Sequence, residues 1–404
     1  MSSVLMANNA HSKIFENELT GSEEQREIFM KIDRVQAWAL DVPVDFSEIG
    51  IVRQNNTQMV FAEVETNDGI IGHGISSIAD PRPIANTINE VLGPKIVGMD
   101  PMDHEKLWHH MFWNVTPWGQ TGYASHAISA VDLAIWDIKG IHLDLPVWRL
   151  IGGARNSLEI YATCGFSFLD DDQLVESVSL MAEVGFRGAK IQVGRPGQDT
   201  RGSDIAMAEL IKNDARRIGR VREALGGDFE IAVDAGCRLD ISSAYDLCLK
   251  IADYEIAWFE EPIIQNDVRL LSQLRSRQPI KLTAGQNEGL AYRFRDMLTH
   301  GSVDMIQPNM IITGGLTQCL RIAGLADAFN TSIGNGGGCP FHNMHLQAGL
   351  QVGTNLEYQV NAVNACRFIF KNLPKVDNGY LKLPHTPGLG LEPNKDAIRD
   401  CIIK

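Results

Sequence analysis

The chain has 404 residues, 44% of them hydrophobic and 21% charged, a composition that excludes disorder and supplies a sizeable core without disulfides or a structural metal. With 36 basic against 50 acidic residues the net charge is −14, which argues against a nucleic-acid binder that neutralises phosphates. Seven scattered cysteines without a CxxC pair suit a reducing compartment, the cytoplasm, and no apolar run approaches the roughly 20 residues needed to span a bilayer.

Residues 1–30 read as a polar extension with no signal-peptide pattern. Strand-like text begins at Lys31 with IDRVQAWALDV, passes a polar loop through Asn55 and Asn56, and resumes with MVFAEVETNDGIIGHG. The Asn67-Asp68-Gly69 step between apolar runs signals a hairpin. Helical text follows at residues 83–97 and 103–113, then at 125–143, where small and apolar residues leave few exposed faces. Residues 31–145 therefore form an α+β domain. From Leu158 short β-rich runs recur at 158–164, 188–193, 230–235, 256–261, 280–285, 303–308, 330–335 and 355–360, separated by helix-length segments. Eight strands alternating with helices predict an α/β fold, a modified (β/α)7β TIM-type barrel over 146–372. No helix is read after the eighth strand. The Pro/Gly-rich segment 373–404 is expected to return and pack on the N-terminal domain, which caps the barrel.

In such a barrel the active site lies at the C-terminal ends of the strands. The polar residues ending these runs include Lys190, Gln192, Asp234, Glu260, Gln286, Asn309 and Glu357. Asp234, Glu260 and Gln286 are spaced by 26 and 26 residues, one strand–helix unit each. Three oxygen ligands on successive strands suit a hard divalent cation, Mg²⁺, which keeps its other positions for water and substrate. Lys190 is either a surface lysine or, inside the barrel mouth, a desolvated amine with a depressed pKa. Glu357 is either a protonated donor to a substrate oxygen or a carboxylate paired with Lys or Arg.

The run GYASHAISAVDLAIWDIKGIHLDLPVWRLIGG and the motifs GAKIQVG, VDAG, WFEEP, TAGQN, IQPNMIITGGLTQ and NLEYQ resemble the enolase superfamily, mandelate racemase subgroup, from Lys31 to Glu392. The resemblance implies a Mg²⁺-dependent homo-oligomer that removes the proton α to a carboxylate, the metal stabilising the enediolate. Most such relatives are sugar-acid dehydratases; others are racemases or epimerases. Several positions depart from the family pattern. The second lysine of its second-strand Lys-x-Lys is Gln192, the Asn after the third-strand Asp is Gly236, and the third acidic ligand is Gln286, for which Glu288 is an alternative. The sixth-strand Asp is Asn309, and the seventh-strand His falls in Gly336-Gly337-Gly338, with His342 nearby.

The resulting expectation is an acid-sugar dehydratase. Mg²⁺ is held by Asp234, Glu260 and Gln286; Lys190 or His342 takes the α-proton, Glu357 assists, and Gln192 and Asn309 contact substrate. A racemase or epimerase needs two opposed bases, which neutral Gln192 and Asn309 do not provide. A catalytically silent sugar-acid binder is the reading from a different class.

Overall fold

The structure is a computed structural model and describes residues 30–117, 119–194 and 205–404. The extension over residues 1–30 therefore lies, but for Met30, outside the described residues. Three antiparallel strands open the fold: β1 (Ile32–Phe46), β2 (Ile51–Thr66) and β3 (Ile71–Ser77). β2 and β3 meet at the Asn67–Gly69 turn that the sequence signals, closed by the Thr66 N–H donating to the Ile70 carbonyl at 2.9 Å. The polar loop through Asn55 and Asn56 is corrected. Both residues lie within β2, opposite Val44 and Pro43, and the reversal occurs earlier, at Ser47–Ile49 and Gly50. Val42, Val44 and Phe46 alternate with exposed neighbours, so one face of the ribbon is buried while the other carries the polar residues that mimic a loop in the sequence.

Helical text from Pro81 begins as α1 (Pro81–Asn86), capped by Asp80, and continues through a π-turn at Thr87–Leu92 and a short turn at Gly93–Ile96. Next come α2 (His104–Val115) and the long, nearly all-buried α3 (Tyr123–His142). β3 can lie against α3 because Gly72 and Gly74 have no side chain. A Cβ on Gly74 would stand 1.9 Å from the Ala130 carbonyl oxygen. Small residues at this crossing set the distance between sheet and helix.

The barrel strands are β4 (Ser157–Gly165), β5 (Gly188–Gln192), β6 (Glu230–Asp234), β7 (Ile256–Glu260), β8 (Leu282–Ala284), β9 (Met305–Ile306), β10 (Ser332–Ile333) and β11 (Leu356–Gln359). They pair in parallel in chain order from β4 to β10, β11 pairs with β4, and a bridge from Ile333 to Gly353 links the seventh strand to the segment before the eighth. Seven helices follow the first seven strands: α4 (Asp171–Glu183), α5 (Met207–Leu225), α6 (Ile241–Ile251), α7 (Val268–Arg275), α8 (Leu290–Thr299), α9 (Gly315–Ala328) and α10 (Pro340–Gly349).

The expected absence of a helix after the eighth strand is also corrected: α11 (Val360–Ile369) follows β11 directly. It packs chiefly on β1 rather than on the barrel wall, so the (β/α)7β description holds. The chain end joins the same layer, with the Ile403 N–H donating to the Ala39 carbonyl and the Asp41 N–H to that of Cys401, both at 2.9 Å. The three-stranded sheet and α3 are tied to the barrel through buried polar contacts. Ser129 Oγ accepts from the N–H groups of Gly314 and Gly315, and Asp132 accepts from both the backbone and the hydroxyl of Thr317. These bonds occupy N–H groups at the start of α9 that the helix itself leaves unpaired.

Candidate active site

Parallel register brings the strand ends together. Gln192 lies opposite Asp234, Asp234 opposite Glu260, and Thr163 opposite Lys190. Side chains two apart on a strand share a face, so Lys190 and Gln192 form successive inward layers. Lys190 is 1% exposed, and its Nζ lies 2.8 Å from Glu260 Oε1, 3.0 Å from Glu357 Oε1 and 3.6 Å from Asp234 Oδ2. The cluster carries three carboxylates around one ammonium.

Burial works against the charge on Lys190, but Glu260 and Glu357 outweigh it and hold the amine well above its ordinary pKa. The depressed pKa expected from the sequence is therefore corrected. That expectation counted burial and a neighbouring divalent cation but not the three acidic neighbours, which favour the charged amine. Burial raises the pKa of Glu260, and the Lys190 ammonium at 2.8 Å pulls it back toward the charged form. Glu357 accepts from Thr163 Oγ1 at 2.6 Å and from the Gly338 N–H at 3.1 Å besides pairing with Lys190, so its contacts suit an acceptor rather than a proton donor.

Above the cluster is a cavity of about 550 Å³ between the three-stranded sheet and the barrel. From the sheet side Thr57, Gln58, Ser77 and Ile78 line it; from the barrel come Gln192, Asp234, Arg238, Gln286, Cys339 and Gln359. Gln192 and Gln286 thus reach the cavity as the sequence places them. Asn309 and His342 do not line it. His342 is buried on α10 beside Phe370, its ring centroid 5.8 Å away, and burial lowers its pKa to about 3. The following residues turn straight into α10, which carries His342 away from the mouth; sequence distance to the glycine run does not report that direction. Asn309 Oδ1 accepts from Asn343 Nδ2 at 3.0 Å, while its Nδ2 is buried without a partner. That Nδ2 stands 2.4 Å from where a Cβ on Gly337 would be, and Gly337 has φ +76. The space a side chain at position 337 would fill is thus faced by an amide. Glu288 is committed elsewhere, 2.8 Å from Arg293 and accepting from Asn266, and does not line the cavity.

Several functional candidates escape the sequence reading. Gln307 Nε2 donates to Glu260 Oε2 at 2.8 Å; it lies two residues before Asn309, and strand periodicity could have found it. Thr163 on β4 orients Glu357. Cys339 caps α10 in the left-handed region, 3.8 Å from Ser77 Oγ, and a hydrogen bond from the Cys366 thiol holds its own thiol below the ordinary value. Nothing in the sequence pattern marks Arg238 or Cys339 as cavity residues, because both follow irregular turns.

Among the described residues no three His, Cys, Asp or Glu side chains gather as a cage for a metal ion. Two anionic oxygens, from Asp234 and Glu260, with the amide oxygen of Gln286 on the adjacent strand end, still form a donor set that fits a hard divalent cation.

Comparison with known proteins agrees with this architecture. Residues 31–152 match the mandelate racemase/muconate lactonizing enzyme N-terminal domain, and residues 173–397 match the enolase C-terminal domain-like family. The chain is 29% identical over 397 residues to D-galactarolactone cycloisomerase of Agrobacterium fabrum, covering 92% of this chain and 98% of that protein. It is 30% identical over 345 residues to L-rhamnonate dehydratase of Saccharopolyspora erythraea, covering 83% of each. Among solved structures, L-talarate dehydratase of a Polaromonas species, complexed with Mg and L-glucarate, superposes with a TM-score of 0.80 at 26% identity, over 93% of this chain and 98% of that one.

Proposed function

The chain belongs to the mandelate racemase/muconate lactonizing enzyme family of the enolase superfamily, and from that premise we propose that it is a Mg²⁺-dependent carbon–oxygen lyase, a sugar-acid dehydratase. The observation that carries the reading is the juxtaposition of Asp234, Glu260, Lys190 and Glu357 at a polar cavity that Asp234 lines. Asp234 and Glu260 would hold the ion with Gln286, and when bound it supplies positive charge that makes the proton α to a carboxylate more acidic. Lys190 keeps its proton and contributes a fixed positive charge under the floor of the cavity. Glu357, oriented by Thr163 and Gly338, sets the position of that ammonium.

The proton acceptor belongs to the cavity wall. Of the lining residues that titrate, Asp234 is assigned to the ion and Arg238 does not deprotonate, which leaves the Cys339 thiol. Gln192, together with Gln58 and Gln359, offers amides to substrate hydroxyls, and Asn309 faces Gly337 behind the wall. In this reading residues 31–145 cap the site and set specificity, 146–372 carry the chemistry, and the protein is a cytoplasmic homo-oligomer. Its seven cysteines, all free, support the reducing compartment. No helix among the described residues is long and apolar enough to cross a membrane.

One observation favours a second reading, a catalytically silent sugar-acid binder: neutral residues stand at Gln192, Gln286, Asn309 and the run Gly336-Gly337-Gly338, where the family pattern places charge or a base. Calorimetry tests the shared premise. Mg²⁺ should bind the native protein and fail to bind Asp234→Asn or Glu260→Gln variants of unchanged circular dichroism. Unchanged affinity in either variant removes the metal assignment.

A further inference from the structure

We infer that Arg238 anchors a second anionic group of the substrate, so that the preferred ligands are sugar diacids, with a carboxylate at each end, rather than monoacids. This rests on the sugar-acid reading above. Arg238 lies four residues past Asp234, in the turn after β6, with its guanidinium over Gly236. A Cβ on Gly236 would stand 3.4 Å from both Cζ and Nη2 of Arg238, which places the guanidinium beside Gly236 at the cavity wall.

Arg238 Nε is buried and has no hydrogen-bond partner among the described residues. Among the described residues no carboxylate lies within ion-pair distance of Arg238, whereas Arg217, Arg293 and Arg367, all on helices, are each paired with an acid. Asp234, its close neighbour in the chain, is turned elsewhere, toward Lys190 and the Gly236 N–H. An unsatisfied guanidinium in a protein of net charge −14 is therefore not a by-product of a basic surface.

The rest of the cavity wall sharpens the assignment. Apart from Asp234 and Cys339 it is built of neutral side chains, several of them amides such as Gln58, Gln192, Asn287 and Asn361, which suit hydroxyl groups. Asp234 and the cluster beneath it are assigned to the ion and to the carboxylate beside the reacting carbon, and Arg238 stands beside them over Gly236. The planar fork of Arg238 matches a second carboxylate through two parallel N–H···O bonds, and that contact would relieve its unpaired Nε. A hydroxymethyl end, as in a monoacid, offers one neutral acceptor instead of a charged pair of oxygens, and that difference is the source of discrimination.

The experiment is calorimetric titration of the full chain, with and without Mg²⁺, using a panel of six-carbon aldarates and their matched aldonates. The native protein should bind at least one aldarate about tenfold to a hundredfold more tightly than the matched aldonate. Arg238→Gln should erase that advantage, aldarates losing about tenfold more affinity than their matched aldonates, and Arg238→Lys, which keeps the charge but not the fork, should retain part of it. Equal or tighter binding of the aldonates by the native protein overturns the inference and leaves the sugar-acid reading standing. So does an Arg238→Gln variant, folded by melting temperature, that keeps the diacid preference. If neither panel binds, the sugar-acid reading fails and this inference with it.

Discussion

Replacing Lys190 by Met removes the only cation from a buried group of three carboxylates while preserving most of the side-chain volume. The ammonium lies 2.8, 3.0 and 3.6 Å from Glu260, Glu357 and Asp234, and neither Lys190 nor the two glutamates has measurable contact with solvent. At an effective dielectric near 20, each contact at this range is worth about 4 kcal/mol before desolvation of the amine is subtracted. Breaking a buried pair costs about 3–5 kcal/mol because the remaining charge is stranded, and we expect Lys190→Met to lose that much near pH 8. The sign with pH follows from linkage. Lys190 has a raised pKa in the folded state, so its contribution is fully present below its unfolded value and is lost only as pH rises through the higher folded one. The variant has no such cation, and its carboxylates are relieved only by protonation. Its deficit should be largest at pH 8 and shrink toward pH 4, and Mg²⁺ should raise its melting temperature more than that of the native protein. Urea unfolding at several pH values, with and without Mg²⁺, measures both effects. A deficit below about 1 kcal/mol at pH 8, or one independent of pH, would refute the claim that Lys190 neutralises this cluster.

Cys339→Ser should slow any exchange of the substrate α-proton by about 100-fold or more, the usual contribution of a positioned base, while ligand affinity measured by calorimetry stays within about threefold. Gln286→Glu adds an anionic ligand and should tighten Mg²⁺ binding; unchanged affinity by calorimetry removes Gln286 from the ligand set. Asp132, raised to about 7 by burial against the pull of Thr317, destabilises the fold as pH climbs from about 4 to 7, by up to ~1.4 kcal/mol per unit. Asp132→Asn should flatten that slope in thermal melts. His73 is held above its ordinary pKa: burial opposes the charge, but Asp137 and Glu63, at 3.5 and 3.7 Å, prevail. Its stabilising contribution is complete below about pH 6.5 and fades as pH rises through the higher folded value, so the cost of His73→Gln should fall as pH rises past that value.

The barrel is legible in the sequence because each strand is a short β-branched run ended by a polar residue and followed by helix-length text. Chain order then dictates parallel pairing. The strand-end residues Asp234, Glu260 and Gln286 are legible for the same reason, since one strand–helix unit repeats at nearly constant length. Asn55 and Asn56 mislead because the solvent face of an antiparallel ribbon has the composition of a loop. Val360–Ile369 is missed because no turn residue separates β11 from the helix that follows. The ionisation of Lys190 is set by three residues 44, 70 and 167 positions away, and no local pattern encodes their convergence. Arg238 and Cys339 stand on turns, where side-chain direction follows backbone angles rather than periodicity.

The most direct test of the account is proton exchange at the carbon α to the carboxylate. The native protein, loaded with Mg²⁺ in D₂O, is incubated with a sugar-acid panel and followed by proton NMR together with a keto-acid assay. The account predicts that at least one member loses its α-proton signal and yields a 2-keto-3-deoxy acid, and that Asp234→Asn abolishes both. A panel member bound tightly in the presence of Mg²⁺, with its α-proton retained and no keto acid formed, would contradict the lyase assignment and make the protein a silent sugar-acid binder.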